Sequence, residues 1–265
     1  MVIPRLPVER YADEVASQAT LFADHLTGAD LATPVPSCPG WNLAQLTQHT
    51  DEGFRWIEGM VRTRASEPAA DTAMRVLDPA PAVTAEERGA SLAAAGQALA
   101  ETLREAGADT PMWTPLPDRR SGFFARRFAH EAFMHRADGA LALGLDVTIA
   151  EDLALDGLAE WMELGGLPQM LDFHPARREL LGPGRTIRVE ATDTDAADGA
   201  WLVDLTGDVM IHRHAQDETA AATLRAPLAT LLLVLYARRP LDADGTTLDG
   251  DTDLLRTWWE RSAFG

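Results

Sequence analysis

Helical periodicity dominates the first 148 residues of the chain, where no convincing strand pattern interrupts it. Four stretches carry apolar residues at helical spacing. They cover residues 8–26, 42–64, 84–107 and 119–144. A polar connection rich in Ala and Pro, residues 65–82, separates the second stretch from the third. Four long helices with one longer connection are the pattern of a four-helix bundle, which is the predicted fold of this part.

Two of these stretches begin with the pattern of a capping box. Asn42 is followed three residues later by Gln45, and Thr84 by Glu87. In a capping box the two side chains satisfy free backbone amides at the start of a helix. Both helix starts are therefore predicted from the sequence alone.

The remainder of the chain has a mixed pattern. Residues 153–166 are helical in spacing, and residues 185–214 alternate apolar and polar side chains around a turn. Residues 222–241 and 246–264 each favour a helix. We therefore expect a mainly α protein that is α+β overall, with a helical bundle at 1–148 and a smaller α+β domain at 149–265.

Charge and apolar content restrict the function. The formal net charge is -18 and all 23 basic residues are Arg. A chain this acidic is not expected to bind nucleic acid, and an anionic substrate would need local Arg side chains to overcome the overall field. No apolar run is long enough to span a membrane, the N-terminus lacks a signal-peptide pattern, and Cys38 is the single cysteine. These features predict a cytoplasmic protein.

A cluster in the fourth stretch holds His130, Glu131 and His135. The spacing H-E-x-x-x-H differs from the H-E-x-x-H of zinc proteases. On a helix, Glu131 and His135 are separated by about 40° and share a face, whereas His130 and His135 are about 140° apart and cannot easily bind one ion. Glu131 and His135 therefore form a candidate pair of metal ligands. A surface ion pair is the alternative.

A metal site needs a third ligand from another helix. His49 lies two turns into the helix that Asn42 begins, near the middle of the predicted bundle. Two imidazoles and one carboxylate suit Zn²⁺, with Ni²⁺, Fe²⁺ or Mn²⁺ as alternatives. Asp138, three residues after His135, is expected either to orient a ligand or to be a solvated helix residue.

Three segments resemble the DinB-like mycothiol-dependent maleylpyruvate isomerase family. They are "PVPSCPGWNLAQLTQHT", "RRFAHEAFMHRADGALALG" and "LRAPLATLLLVLYARRPL", in the order that the family has. The resemblance implies a DinB-like bundle with His49, Glu131 and His135 as metal ligands. It also implies a C-terminal domain similar to sterol carrier proteins. Arg238 falls on the family's catalytic Arg, although Tyr236-Ala237-Arg238 replaces Trp-Gly-Arg, and Arg239 is an alternative.

The resemblance further implies zinc and the thiol mycothiol as cofactors. The expected reaction is addition of the activated thiol to an electrophilic small molecule, with cis–trans isomerisation of maleylpyruvate-like acids as the type reaction. The alternatives are a mycothiol S-transferase, a metal-dependent hydrolase or a non-enzymatic binding protein. The expected partner is an electrophilic small molecule, with a carboxylic acid as one candidate, and the protein is expected to be a monomer or a small homo-oligomer.

Three further residues carry weaker expectations. Cys38, in a Pro-rich turn, is expected to pack rather than to act as a nucleophile or ligand. His212 and His214 alternate on a predicted strand with no carboxylate in register, so surface positions are expected for both.

Overall fold

Long helices form the first of two units in this computed structural model, which describes residues 5–70, 83–215 and 218–262. The chain divides between Val147 and Thr148. Among its described residues the first unit contains α1 Val8–His25, α2 Leu43–Thr63, α3 Ala85–Ala106 and α4 Gly122–Ala142. Of the predicted connection at 65–82, residues 65–70 are irregular and residues 71–82 lie outside the described part.

The four helices form a bundle, because α1 and α2 each pack against both α3 and α4. Buried apolar side chains from every helix fill the centre, among them Tyr11, Phe54, Leu99 and Phe133. Small residues set the closest crossings: a Cβ added at Gly96 would overlap Ala19, and one added at Gly139 would overlap Phe22. The predicted four-helix bundle is confirmed.

Both predicted capping boxes are present. The Asn42 side chain accepts a hydrogen bond from the Gln45 amide at 3.0 Å, and the Gln45 side chain accepts one from the Asn42 amide. Thr84 and Glu87 form the same reciprocal pair at the start of α3. The first box fixes the start of α2, and hence the position of His49 along it.

The second unit is α+β. Its described residues form a five-stranded sheet in the order β3-β2-β1-β4-β5. The strands are β1 Thr186–Ala191, β2 Ala200–Asp204, β3 Ile211–His214, β4 Ala222–Ala226 and β5 Thr247–Gly250. β1 and β4 are parallel, and the other neighbouring pairs are antiparallel.

Helices pack against this sheet. They are α5 Glu151–Gly165, α7 Leu228–Leu235 and α8 Thr252–Ser262. The short helix α6 Met170–Phe173 packs against a 3₁₀ turn at Pro175–Leu180, and a second 3₁₀ turn lies at Ala197–Gly199. Along β1 the residues alternate between buried and half-buried, so that Ile187 and Val189 lie in the core. The α+β prediction for this part is confirmed.

Two segments predicted to be helical are strands. Residues 222–226 form β4, which pairs with β1, and the helix begins after Pro227. Proline disfavours helical backbone in the residue before it, so it separates the strand from the helix. Residues 247–250 form β5, an edge strand on β4, before α8 begins at Thr252. Among the described residues, no helix is long and apolar enough to cross a membrane.

Candidate functional site

A cavity of about 360 Å³ lies between α2 and α4 in the first unit. His49 of α2 and Glu131 and His135 of α4 all line it. The structure therefore brings the three predicted ligand residues together at one cavity, although 82 residues of sequence separate His49 from Glu131.

Helical spacing gives α4 its cavity face. Arg127, Glu131 and His135 follow one another at four-residue intervals, so each lies one turn from the next. His130 lies on another face, buried with its ring edge-on to Tyr11 of α1 at 6.4 Å. This placement agrees with the expectation that His130 does not share an ion with His135.

The three side chains converge in pairs. His135 Nε2 lies 3.4 Å from Glu131 Oε2. The ring centres of His49 and His135 are 5.1 Å apart, and the rings are nearly perpendicular. Trp41 packs edge-on against the other side of this arrangement, with its ring centre 5.1 Å from that of His49. Trp41 therefore supports the His49 ring.

Asp138 fixes the orientation of His135. Its side chain is fully buried, and one carboxylate oxygen lies 3.2 Å from His135 Nδ1. Because a carboxylate only accepts hydrogen bonds, Nδ1 carries the hydrogen and Nε2 presents its lone pair to the cavity. Ser37 donates to the other Asp138 oxygen at 2.6 Å, and the Cys38 thiol lies 3.6 Å from the oxygen that His135 contacts.

Of the two expectations for Asp138, the structure agrees with the orienting one. Cys38 belongs to the same arrangement as a hydrogen-bond donor to Asp138. These contacts link the turn before α2, through Ser37 and Cys38, to Asp138 near the end of α4.

Arg127 holds the other side of Glu131. Its Nε and Nη2 lie 3.0 Å and 2.9 Å from Glu131 Oε1. This leaves Oε2 directed toward His135. Two electron-pair acceptors, the carboxylate oxygen and the imidazole Nε2, thus face each other at 3.4 Å, longer than a normal hydrogen bond. A shared metal ion would fit between such a pair, and protonation of His135 would make the same contact an ion pair.

The pairwise spacings fit a divalent metal. Two ligand atoms on one tetrahedral zinc ion lie about 3.4 Å apart, and the ring centres of two bound imidazoles lie about 5 Å apart. The observed separations are 3.4 Å for His135 and Glu131 and 5.1 Å for the His49 and His135 rings. The donor types also fit, as does the carboxylate behind His135.

Taken together, His49, Glu131 and His135 are less well arranged for one ion than their pairwise distances suggest. Across residues 5–70, 83–215 and 218–262, no three His, Cys, Asp or Glu side chains are gathered in an arrangement able to hold a metal ion as they stand. A bound ion would therefore require side-chain movements that draw His49, Glu131 and His135 together.

Arg238 belongs to the second unit, directly after α7. It is half-buried and donates to the Tyr236 carbonyl at 2.8 Å. Ala237 before it has a φ of 56°, in the left-handed region that favours glycine. The Ala therefore keeps a backbone conformation that suits the Gly of the family's Trp-Gly-Arg segment.

The expectation of surface positions fails for His212. Its ring stacks on Trp161 with 6.3 Å between ring centres, and its Nδ1 lies 2.7 Å from the Met162 carbonyl. Burial lowers the pKa of His212 to about 4; the Met162 hydrogen bond opposes the shift, and the charge of Arg177 adds to it. His214 is half-buried beside Trp201, with 4.0 Å between ring centres. Helix α5 packs over β3 and covers the strand face that the sequence pattern predicted to be exposed.

Six Phe and Trp side chains line the cavity, and the sequence pattern did not predict them. They are Phe54, Trp56, Trp113, Phe123, Phe124 and Phe128. A signal was present for part of this wall. Phe124 and Phe128 lie seven and three residues before Glu131, on the α4 face that also carries His135. No comparable signal marks Trp113, which reaches the cavity from a loop.

The fold and the site together define a helical-bundle protein with a His/Glu/His group on an aromatic cavity, followed by an α+β unit. A family model described as the mycothiol maleylpyruvate isomerase N-terminal domain matches residues 12–140. The helical part of this chain is therefore similar to that domain.

Two solved structures are similar over nearly the whole chain. A crystal structure of the mycothiol-dependent maleylpyruvate isomerase is 13% identical, with a TM-score of 0.60, and covers 92% of this chain and 93% of its own. A crystal structure of a histidine-to-alanine mutant of that isomerase gives a TM-score of 0.58 at the same identity and coverage. At this identity the similarity shows the fold. No curated protein sequence matches the chain.

Proposed function

We propose that this protein is an enzyme that uses a divalent metal to activate mycothiol for addition to an electrophilic small molecule. His49, Glu131 and His135 are the proposed metal ligands, and zinc is the expected metal. The observation that carries the proposal is the 3.4 Å approach of His135 Nε2 to Glu131 Oε2, with Asp138 behind His135. The family match over residues 12–140 supports mycothiol as the thiol.

A bound divalent metal favours the thiolate over the thiol and so supplies the nucleophilic form of sulfur at neutral pH. The residues of the chain prepare that site. Asp138 fixes the His135 tautomer, Arg127 fixes one oxygen of Glu131, and Trp41 supports the His49 ring. The aromatic wall gives an apolar surface against which the electrophile would lie.

The type reaction would proceed by addition and elimination. The sulfur forms a bond to the far carbon of a cis double bond conjugated to a carbonyl, and the electron pair moves to the carbonyl oxygen as an enolate. The proposed role of Arg238 is to stabilise this negative charge. Rotation about the new single bond, return of the electron pair and departure of the sulfur give the trans isomer and regenerate the thiol.

An S-transferase would begin in the same way. The sulfur would either displace a leaving group or stay bonded to the substrate after addition. In the second case a carbon of the adduct takes up a proton. Either route consumes the thiol.

A hydrolase would need a general base near the site. Among the described residues that line the cavity, the one carboxylate is Glu131, which is already assigned as a ligand. The proposed character of the second unit, similar to sterol carrier proteins, rests on the sequence resemblance.

The proposal is tested by measuring thiol- and metal-dependent turnover. Wild-type protein loaded with zinc is mixed with mycothiol and maleylpyruvate, and both isomerisation and thiol loss are followed by NMR. We expect turnover that needs the thiol, stops on chelation and returns with zinc. Glu131→Gln should lower it at least tenfold, because second-shell effects alone reach this size. Turnover that is independent of thiol would contradict the proposal.

A further inference from the structure

We infer that the cavity prefers an electrophile with an uncharged, aryl-sized apolar body and binds a small dicarboxylate more weakly. This inference rests on the proposed function, since it names the substrate class of the same site. It differs from the type reaction, whose substrate is an acid. The lining of the cavity, its charge and its volume carry the inference.

The cavity wall is a connected set of aromatic rings. Phe128 of α4 lies 6.4 Å from Phe124 and 6.5 Å from Phe54 of α2, measured between ring centres. Trp113 lies 6.4 Å from Phe124. The Trp113 amide donates to the Ala65 carbonyl at 2.6 Å, which ties its loop to the chain just beyond α2. The wall is therefore held in place by packing and is ready to accept an apolar group.

The charges in the lining cancel. Among the described residues that line the cavity, Arg127 and Glu131 are the charged pair, and they contact each other at 2.9 Å. With a divalent ion and a thiolate in the site, these four charges would sum to a net charge of +1. Because Arg127 is paired with Glu131, the second carboxylate of a small diacid would lose water against the aromatic lining, which is unfavourable. The net charge of -18 further opposes the approach of an anion.

The volume suits a ring with a reactive substituent. An engineered apolar cavity of about 150 Å³ in another protein holds benzene. The cavity here measures about 360 Å³, so it has room for an aryl ring and a conjugated carbonyl that reaches His49 and His135.

Binding of unreactive analogues tests the inference without relying on turnover. Isothermal titration of zinc-loaded protein with 4-phenylbutan-2-one and with succinate compares an apolar body with a diacid. We expect the ketone to bind at least tenfold more tightly. Equal or tighter binding of succinate, or no binding of either probe, would overturn the inference.

Variants show whether the probe occupies this cavity. Phe128→Arg places a cation in the wall and should weaken ketone binding at least tenfold while strengthening succinate binding. Trp113→Ala, a milder change, should weaken ketone binding alone. Phe173→Ala is the matched control, because Phe173 is 75% exposed in the second unit and should leave both affinities unchanged. Ketone affinity unaffected in both cavity variants would place the probe elsewhere and overturn the inference.

A turnover comparison separates the two proposals. Wild-type protein with zinc and mycothiol is given benzylideneacetone, which carries an aryl group on an activated double bond, or maleate. Faster thiol addition to benzylideneacetone supports both proposals. Faster reaction with maleate would overturn the substrate class and leave the thiol chemistry standing. If the protein binds 4-phenylbutan-2-one but reacts with neither electrophile, the result would contradict the proposed function. The inference of an apolar binding site would still stand.

Discussion

Asp138→Asn tests the link between the buried carboxylate and His135. Asp138 is 0% exposed, and its oxygens contact the Ser37 hydroxyl, the Cys38 thiol and His135 Nδ1. An Asn can keep its carbonyl oxygen toward His135 and Cys38, while the Ser37 hydroxyl turns to accept from the amide. The Ser37 O–H loses Asp138 as its acceptor, but Ser37 is half-buried and its hydroxyl can donate to water, so the free energy of unfolding should change by about 1 kcal/mol or less.

Metal affinity should fall much more than stability. The Asp138 carboxylate accepts from Nδ1 and orients the His135 ring, and loss of such a partner weakens metal binding about 10–100-fold, or about 1.4–2.8 kcal/mol. Zinc affinity is measured by competition with a chromophoric chelator, and stability by urea denaturation. Asp146→Asn is the control, since Asp146 is exposed just beyond α4 and the charge change is the same. Equal zinc affinity in the wild type and Asp138→Asn, with the fold intact, would refute the orienting role.

Two predictions concern the second unit. The folded-state pKa of His212 is about 4, below its ordinary 6.5, so stability is complete above pH 6.5 and falls by about 2–3 kcal/mol as the pH drops toward 4. Urea titrations at pH 7.5 and 5 measure this loss of stability. His212→Asn should reduce it, whereas His214→Asn on the same strand should not. Equal pH dependence in the wild type and both variants would refute the assignment of the loss to His212. Ala237→Gly should raise the free energy of unfolding by about 0.5–1 kcal/mol, because it relieves a φ of 56°; a urea midpoint that falls would contradict this.

Local signals explain what the sequence could predict. Asn42 with Gln45 and Thr84 with Glu87 act within four residues, so their capping boxes do not depend on the rest of the fold. Glu131 and His135 share a face through helical geometry alone. His49 required the further inference that α2 faces α4, which the bundle pattern and the family resemblance supplied.

Tertiary packing explains what the sequence did not predict. Residues 222–226 are strand because β1 supplies their hydrogen-bond partners, and no local pattern identifies a parallel neighbour. His212 is covered by packing of the α5 segment, so its strand pattern gave the wrong exposure. Trp113 reaches the cavity from a loop whose position depends on a contact with Ala65.

Measuring the metal content of the protein tests the central claim, a metal site at His49, Glu131 and His135, most directly. Untagged wild-type protein and His135→Ala, purified without chelators, are compared by elemental analysis before and after zinc reconstitution. His130→Asn is the matched control, because His130 lies on another face of α4 beside Tyr11. The account predicts about one zinc or similar metal per chain in the wild type and control, and its loss in His135→Ala. No uptake by correctly folded wild-type protein, or equal uptake by His135→Ala, would contradict it.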